Sequence, residues 1–290
     1  MLGGKGEACL EGLGSNRRNV MVMDIGQNEP GALQRLAMAW RGFERADRIA
    51  LSFPQSVLEL AKPGSEIDRI LEELPEPPVD PRLTISYGIT SAMGSIRQIL
   101  SLVEPESGGT TPIVLQSLAR TALLGAARVV YMLGPDDHRD RVSNTTDILT
   151  VEGGSLRRAY RTFSSFTQLT ALVPPAELVA SQEERLKAVG NRGRLGEQEI
   201  LNRTAGIAAH LIASAGVTLT AAERSEHEVT LREGYQWIFN TFSGVAHGFA
   251  WPSMVPGTAT MSGDFIADFG LTVDLACLAV DLVEQRRKAE

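Results

Sequence analysis

Between Thr111 and Pro135 the chain reads TPIVLQSLARTALLGAARVVYMLGP, and both ends of a helix are written into it. Thr111 predicts an N-cap whose hydroxyl accepts an orphan N–H, and Pro112 suits the first helical position because it has no N–H to lose. Gly134 predicts a left-handed residue after the last turn, and Pro135 a barrier to continuation. Arg120 and Arg128 interrupt the otherwise apolar run. A buried guanidinium needs carboxylate or carbonyl partners, so these two arginines mark either a structural ion pair or a polar pocket.

Working outward, the same helical spacing recurs along the chain. Leu33, Leu36, Ala37, Trp40 and Phe43 form an amphipathic stripe that Pro54 ends or kinks. Ser65 opens a short helix over residues 67–74. The prolines at 75, 77, 78 and 81 form a stiff linker, and the next helix is expected from near Leu83. Beyond Pro135, helices are expected over residues 136–149, 156–172, 176–189 and 196–215, with the Gly153-Gly154 pair separating the first two. Thr220 and Glu223 have the form of a capping box. Tyr235, Ile238, Phe239, Phe242, Val245 and Phe249 follow at steps of three and four, and a last helix runs from about Asp264 to the end. No run of period-two alternation and no repeat appears. The fold class is therefore all-α, an up-and-down helical bundle over residues 31–290 behind a flexible, glycine-rich leader over residues 1–30.

Composition narrows the function. The 290 residues carry 43% hydrophobic and 22% charged side chains, ordinary values for a globular chain. A net charge of −7 disfavours nucleic-acid binding through an overall field, though a local basic stripe stays open. Two cysteines, Cys9 and Cys277, give no zinc spacing and argue against a structural disulfide. The first fourteen residues lack the apolar core of a signal peptide, and charges interrupt each long apolar stretch, so a cytoplasmic protein without a membrane span is expected.

Candidate chemistry is sparse. In Ser243-Gly-Val-Ala-His247-Gly248-Phe-Ala-Trp251-Pro252, a four-residue step lets Ser243 and His247 share a helical face as nucleophile and base. The bland alternative is a histidine that closes the helix on its terminal carbonyls. Tyr235, Trp237, His247 and Trp251 could together edge an apolar ligand pocket between helices. Arg157, Arg158 and Arg161, preceded by Arg139 and Arg141, form a basic concentration able to contact phosphates, or else a solvated face paired with acids. His138, His210 and His227 have no ligand spacing, so no metal is expected. Phosphate loops of the GxxxxGK or GxGxxG kind are absent, and no cofactor is expected.

Residues 117–135 and the stretch from Tyr235 to Pro252, with its Ser-Gly-Val-Ala-His-Gly core, resemble actinobacterial proteins of the HEPN-like type. The resemblance implies an up-and-down bundle that commonly pairs, and in active members a metal-independent ribonuclease. Such nucleases place an arginine four to six residues before a histidine. Here the nearest arginine before His247 is Arg232, and Arg203 stands seven residues before His210, so the resemblance bears on fold more than on activity. Three readings stay open. One is a non-catalytic helical binding or assembly protein; another is a ribonuclease with an altered site, using His247 with Arg120 or Arg128; the third is a small-molecule enzyme or binder with a pocket near His247. Homodimerisation is expected through the last helix, where Leu271, Leu275, Leu278 and Leu282 form a stripe apart from the Phe265, Phe269, Val273, Ala276, Val280 and Val283 face.

Overall fold

The computed structural model describes residues 30–74, 76–103, 111–189, 195–215, 220–249, 252 and 261–289. Among them the chain is all-α, with no strand and one isolated bridge between Ser65 and Ala289. The nine helices are α1 (Pro30–Leu51), α2 (Glu66–Glu73), α3 (Pro81–Val103), α4 (Pro112–Leu133), α5 (His138–Phe163), α6 (Ala176–Ala188), α7 (Glu197–Ser214), α8 (Ala221–Ala246) and α9 (Met261–Arg286). The expected leader lies outside the described residues, apart from Pro30, which opens α1.

Helix α4 is the axis of the bundle, packed by α3, α5, α7, α8 and α9. Its residues Ala119, Ala122, Leu123, Ala126, Ala127, Val129, Val130 and Met132 are buried, which small and branched side chains permit at close interhelical distance. By length and composition alone, Ile113–Leu133 would suffice to cross a membrane, at a mean hydropathy of 1.4. The two arginines thus interrupt the run less than the sequence implied, and in the fold much of that apolarity faces the chain's own helices. Where α3 crosses α4, a Cβ built on Gly125 would stand 2.6 Å from the Gly88 carbonyl oxygen, so two glycines set the approach.

Several local expectations need correction. Thr111 is the N-cap of α4, but its side chain makes no capping hydrogen bond. Gly134 is right-handed, at φ −77°. Glycine is required there by crowding, because a Cβ would lie 2.4 Å from Ile207 Cγ2 on α7. Gly153 and Gly154 do not divide two helices; α5 runs through them, and Gly153 admits Pro78, whose Cβ would lie 2.7 Å from an added one. The missing side chain serves packing at that point. Pro81 is the first residue of α3, where it loses no hydrogen bond. The capping box at α8 forms as its sequence predicts, with Glu223 N–H donating to Thr220 Oγ1 at 3.2 Å and Thr220 N–H to Glu223 Oε2 at 2.8 Å.

The last helix packs against α1, α3, α4 and α8. Phe265, Phe269, Val273, Ala276, Val280 and Val283 are buried as expected. In the leucine stripe, Leu275 is 1% exposed and Leu282 3%, while Leu271 and Leu278 are half-buried against the same core. Both faces of α9 are core of one chain, so the stripe is not the free surface through which a second copy was expected to dock.

Candidate functional site

Arg120 and Arg128 are eight residues apart on α4, two turns along one face. Arg120 Nε donates to Ser243 Oγ on α8 at 2.6 Å, its Nη2 reaches Glu197 Oε2 on α7 at 3.4 Å, and its guanidinium lies over the Phe239 ring, 5.2 Å from the centroid. Arg128 stands 3.5 Å from Glu152 Oε1 on α5 and 3.5 Å from Glu197 Oε1. Thr84 on α3 donates to the other oxygen of Glu152 at 2.6 Å. Both arginines have carboxylate partners, and Arg128 lines two cavities. One, of about 360 Å³, lies between α3 and α4 and includes Tyr87, Gly88, Arg120, Arg128 and Glu152 in its wall. The other, of about 870 Å³, lies among α4, α5, α6, α7 and α8.

The larger cavity gathers arginines that the sequence treats separately. Arg128 comes from α4, Arg157 and Arg158 from α5, and Lys187 joins them from α6. Arg157 Nε is buried without a hydrogen-bond partner. Arg158 has Ser155 Oγ at 3.2 Å. Arg161 does not join this set; it pairs with Glu183 on α6 at 2.9 Å, and its hydrogen bond and charge hold the Glu183 carboxyl below the usual range. Arg141 is also withdrawn from the expected basic stripe, since it is buried elsewhere.

The Ser243–His247 pair does not assemble. Ser243 Oγ is taken by Arg120, and a guanidinium, always protonated, cannot act as base toward it. His247 is the exposed C-cap residue of α8, followed by Gly248 in the left-handed region at φ +70°, with its ring 5.9 Å from that of Phe249. Glycine is favoured there because a Cβ would strain the turn. No hydrogen bond or ion pair joins His247 to Arg120 or Arg128 among the described residues. Nor do the expected pocket residues converge. Tyr235 lies within α8 and His247 caps its end, twelve steps further along the chain and so about 18 Å away at 1.5 Å per residue. Tyr235 is buried, and burial with the nearby Asp274 charge raises its phenol. Trp237 donates from Nε1 to Asp268 at 3.1 Å on another face. Trp251 lies outside the described residues.

Two clusters were missed by the sequence reading. Glu66, 3% exposed, receives Arg141 Nε at 2.6 Å and stands 2.6 Å from His138 Nδ1, while His138 Nε2 meets Glu73 at 2.8 Å. Arg69 also pairs with Glu66. Arg141 further donates to the carbonyls of Pro135 and Asp136, closing the turn after α4 and tying α5 to α2. Burial alone would raise Glu66, but the hydrogen bonds and charges of Arg141 and His138 prevail and hold it at about 2. The Glu66 hydrogen bond raises His138 against the pull of burial, and Glu73 adds to the rise. The one available signal was His138 and Arg141 at a three-residue step. In the second cluster, Tyr131 donates to Asp147 at 3.0 Å and accepts from Arg203 at 3.3 Å. Burial and the Asp147 carboxylate push its phenol up to about 12.

No group of three His, Cys, Asp or Glu side chains suited to a metal ion occurs among the described residues. Comparison of the chain with protein-family models, curated proteins and solved structures gives no match.

Proposed function

We propose that this protein acts by binding, as a non-catalytic helical protein whose ligand occupies the 870 Å³ cavity among α4, α5, α6, α7 and α8. One observation carries the reading: residues from five helices line one cavity of the size that small-molecule sites use, while Ser243, the candidate nucleophile, is held by Arg120. The HEPN-like resemblance is compatible with a binding bundle as well as with a nuclease. A ribonuclease with an altered site would need His247 beside Arg120 or Arg128, and what supports binding instead is the exposed position of His247 at the end of α8.

Gly154 provides the test. It lines the cavity, and a Cβ there would meet only Arg158 Nη1, at 3.9 Å. Leucine at this helix-interior position improves helix propensity and fills the space. A small-molecule library is screened by thermal shift on the wild type and on Gly154→Leu, and each ligand is recovered and weighed by mass spectrometry. The expected result is ligands that raise the wild-type melting temperature, fail to raise that of the variant, and return unchanged. Ligands that act equally on both proteins, or turnover abolished by Ser243→Ala or His247→Ala, would overturn the proposal.

A further inference from the structure

The cavity's wall specifies more than a size. Arg128, Arg157, Arg158 and Lys187 set four positive charges in the wall against one lining carboxylate, Glu197, with Glu152 also meeting Arg128 from outside the wall, in a chain whose net charge is −7. Such a concentration runs against the overall composition and lies on three different helices, so it is not the polar face of one amphipathic element. Glu183 stands nearby and feels the charges of Lys187 and Arg157, but Arg161 holds it by hydrogen bond.

Two further features leave donors unspent. Arg157 lines the cavity, and its Nε is buried without a hydrogen-bond partner, which is unfavourable for a donor. Helix α7 begins at the cavity wall with Gly196 as N-cap, which has no side chain to accept the N–H groups of the first turn. A Cβ built on Gly196 would meet nothing within 4 Å. Those amides and the helix dipole favour an anion at the same place. Arg128 meets Glu197 at only 3.5 Å, beyond good hydrogen-bond geometry, so its donors can turn to a better acceptor.

The apolar part of the wall is formed by Val151, Leu186, Leu195 and Phe239, with Thr150, Ser155 and Gln198 as its neutral polar members. Arg120 already covers one face of the Phe239 ring, which removes half of a stacking platform and leaves mainly aliphatic surface. A monocarboxylate would leave most of the positive charge unopposed, whereas two phosphoryl groups supply both the charge and the oxygen acceptors that guanidinium forks use. The volume far exceeds that of an inorganic anion.

Resting on the binding reading above, we infer that the cavity takes a phosphorylated small molecule, a diphosphate ester with an aliphatic body. The phosphoryl oxygens lie among Arg128, Arg157, Arg158, Lys187 and the first turn of α7, and the chain lies along Leu186, Leu195 and Val151.

Isothermal titration with geranyl diphosphate, inorganic pyrophosphate, geraniol and adenosine diphosphate tests this on the full-length wild type, on Gly154→Leu and on the double variant Arg157→Gln, Arg158→Gln. The expected result is saturable binding of geranyl diphosphate, at least about tenfold tighter than either pyrophosphate or geraniol, and at least about tenfold weaker in each variant. Thermal melts confirm that both variants remain folded; loss of fold in the double variant is met by repeating the titration with Arg158→Gln alone, whose side chain is exposed. Geraniol binding as tightly as geranyl diphosphate overturns the anion assignment. Adenosine diphosphate binding more tightly overturns the aliphatic body. Geranyl diphosphate failing while some neutral library compound still binds in a Gly154-dependent way sinks this inference alone. Failure of every Gly154-dependent ligand sinks the binding reading with it.

Discussion

Two ion-pair clusters in this bundle are built from the same residue types and behave as opposites. Around Glu66, two carboxylate-facing contacts of 2.6 Å and the carbonyls of Pro135 and Asp136 engage a pair of side chains that are nearly sealed from solvent, Glu66 at 3% and Arg141 at 4% exposure. Around Arg128, both ion pairs stretch to 3.5 Å and the side chain is 30% exposed and lines two cavities. The first cluster joins α2 and α5 and closes the turn after α4, and it leaves little donor capacity for anything else. The second has unspent donors beside open volume. Removing a partner from a sealed pair strands a charge, whereas loosening an open pair lets water replace it.

The largest effect should therefore come from breaking the sealed cluster. Glu66→Leu leaves Arg141 without its carboxylate and should cost about 3–5 kcal/mol, measured by urea denaturation. Replacing Glu66 and Arg141 together by leucine should recover much of that loss, because no buried charge remains. A loss under about 1 kcal/mol for the single variant would mean that the cluster is solvated and the contrast is false.

The same cluster gives the protein a pH window. Glu66 is held at about 2, below its ordinary 4.5, so its contribution is full above 4.5 and is lost as the pH falls toward 2. His138 is raised above its ordinary 6.5, so its contribution is full below 6.5 and is lost as the pH rises through the higher folded value. The cluster should stabilise most between 4.5 and 6.5. Melting temperatures of the wild type should fall on both sides of that window, and those of His138→Gln should lose the alkaline fall. An unchanged alkaline limb in the variant would assign the titration elsewhere.

How far the sequence went follows from the same contrast. Fold class was legible, because caps and apolar spacing are local signals: Ser65, Pro112 and the Thr220–Glu223 box stand where a helix begins. Glycine was misread at 134, 153 and 154, since its role there is to admit Ile207, Pro78 and cavity space, and close approach by a distant helix leaves no local mark. For Arg120 and Arg128 the need for partners could be stated from burial, but which carboxylates would answer, Glu152 and Glu197, depended on tertiary packing. Ser243 and His247 were paired on spacing alone, beside the reading of His247 and Gly248 as the end of the helix; α8 does end there, whereas the hold of Arg120 on Ser243 depended on tertiary packing. The leucine stripe of α9 misled in the same way: an apolar face tells that something covers it, and here α1, α3, α4 and α8 supply the cover.

A smaller effect should come from the α3–α4 crossing that holds the open network in place. Gly125→Ala brings a Cβ to 2.6 Å from the Gly88 carbonyl oxygen, a backbone atom that cannot rotate aside. The two helices must separate, at a cost of about 1–3 kcal/mol. Because Gly125 and Arg128 share the wall of the smaller cavity, the separation should also widen it, and solvent protection of the Gly88 region should fall in hydrogen exchange. A variant as stable as the wild type, with unchanged exchange, would show that the crossing has slack.

The smallest effect on stability should follow removal of the open network's central charge. In Arg128→Gln the lost interactions are two ion pairs at 3.5 Å involving a side chain that water already reaches, and exposed pairs of this kind contribute about 0–1 kcal/mol. The carboxylates left behind are not stranded, since Glu152 keeps the Thr84 hydroxyl at 2.6 Å and Glu197 keeps Arg120 at 3.4 Å. Glutamine also retains a donor of its own. The urea midpoint should therefore shift little, in contrast to the several kcal/mol expected at Glu66, even though both positions are drawn as arginine–glutamate pairs. A loss of about 3 kcal/mol or more would show that Arg128 is a structural keystone like Arg141, and would remove the ground for regarding its donors as free to meet a ligand. A near-silent stability change accompanied by weaker ligand binding would separate the two clusters by what they do, one holding helices together and the other facing the cavity.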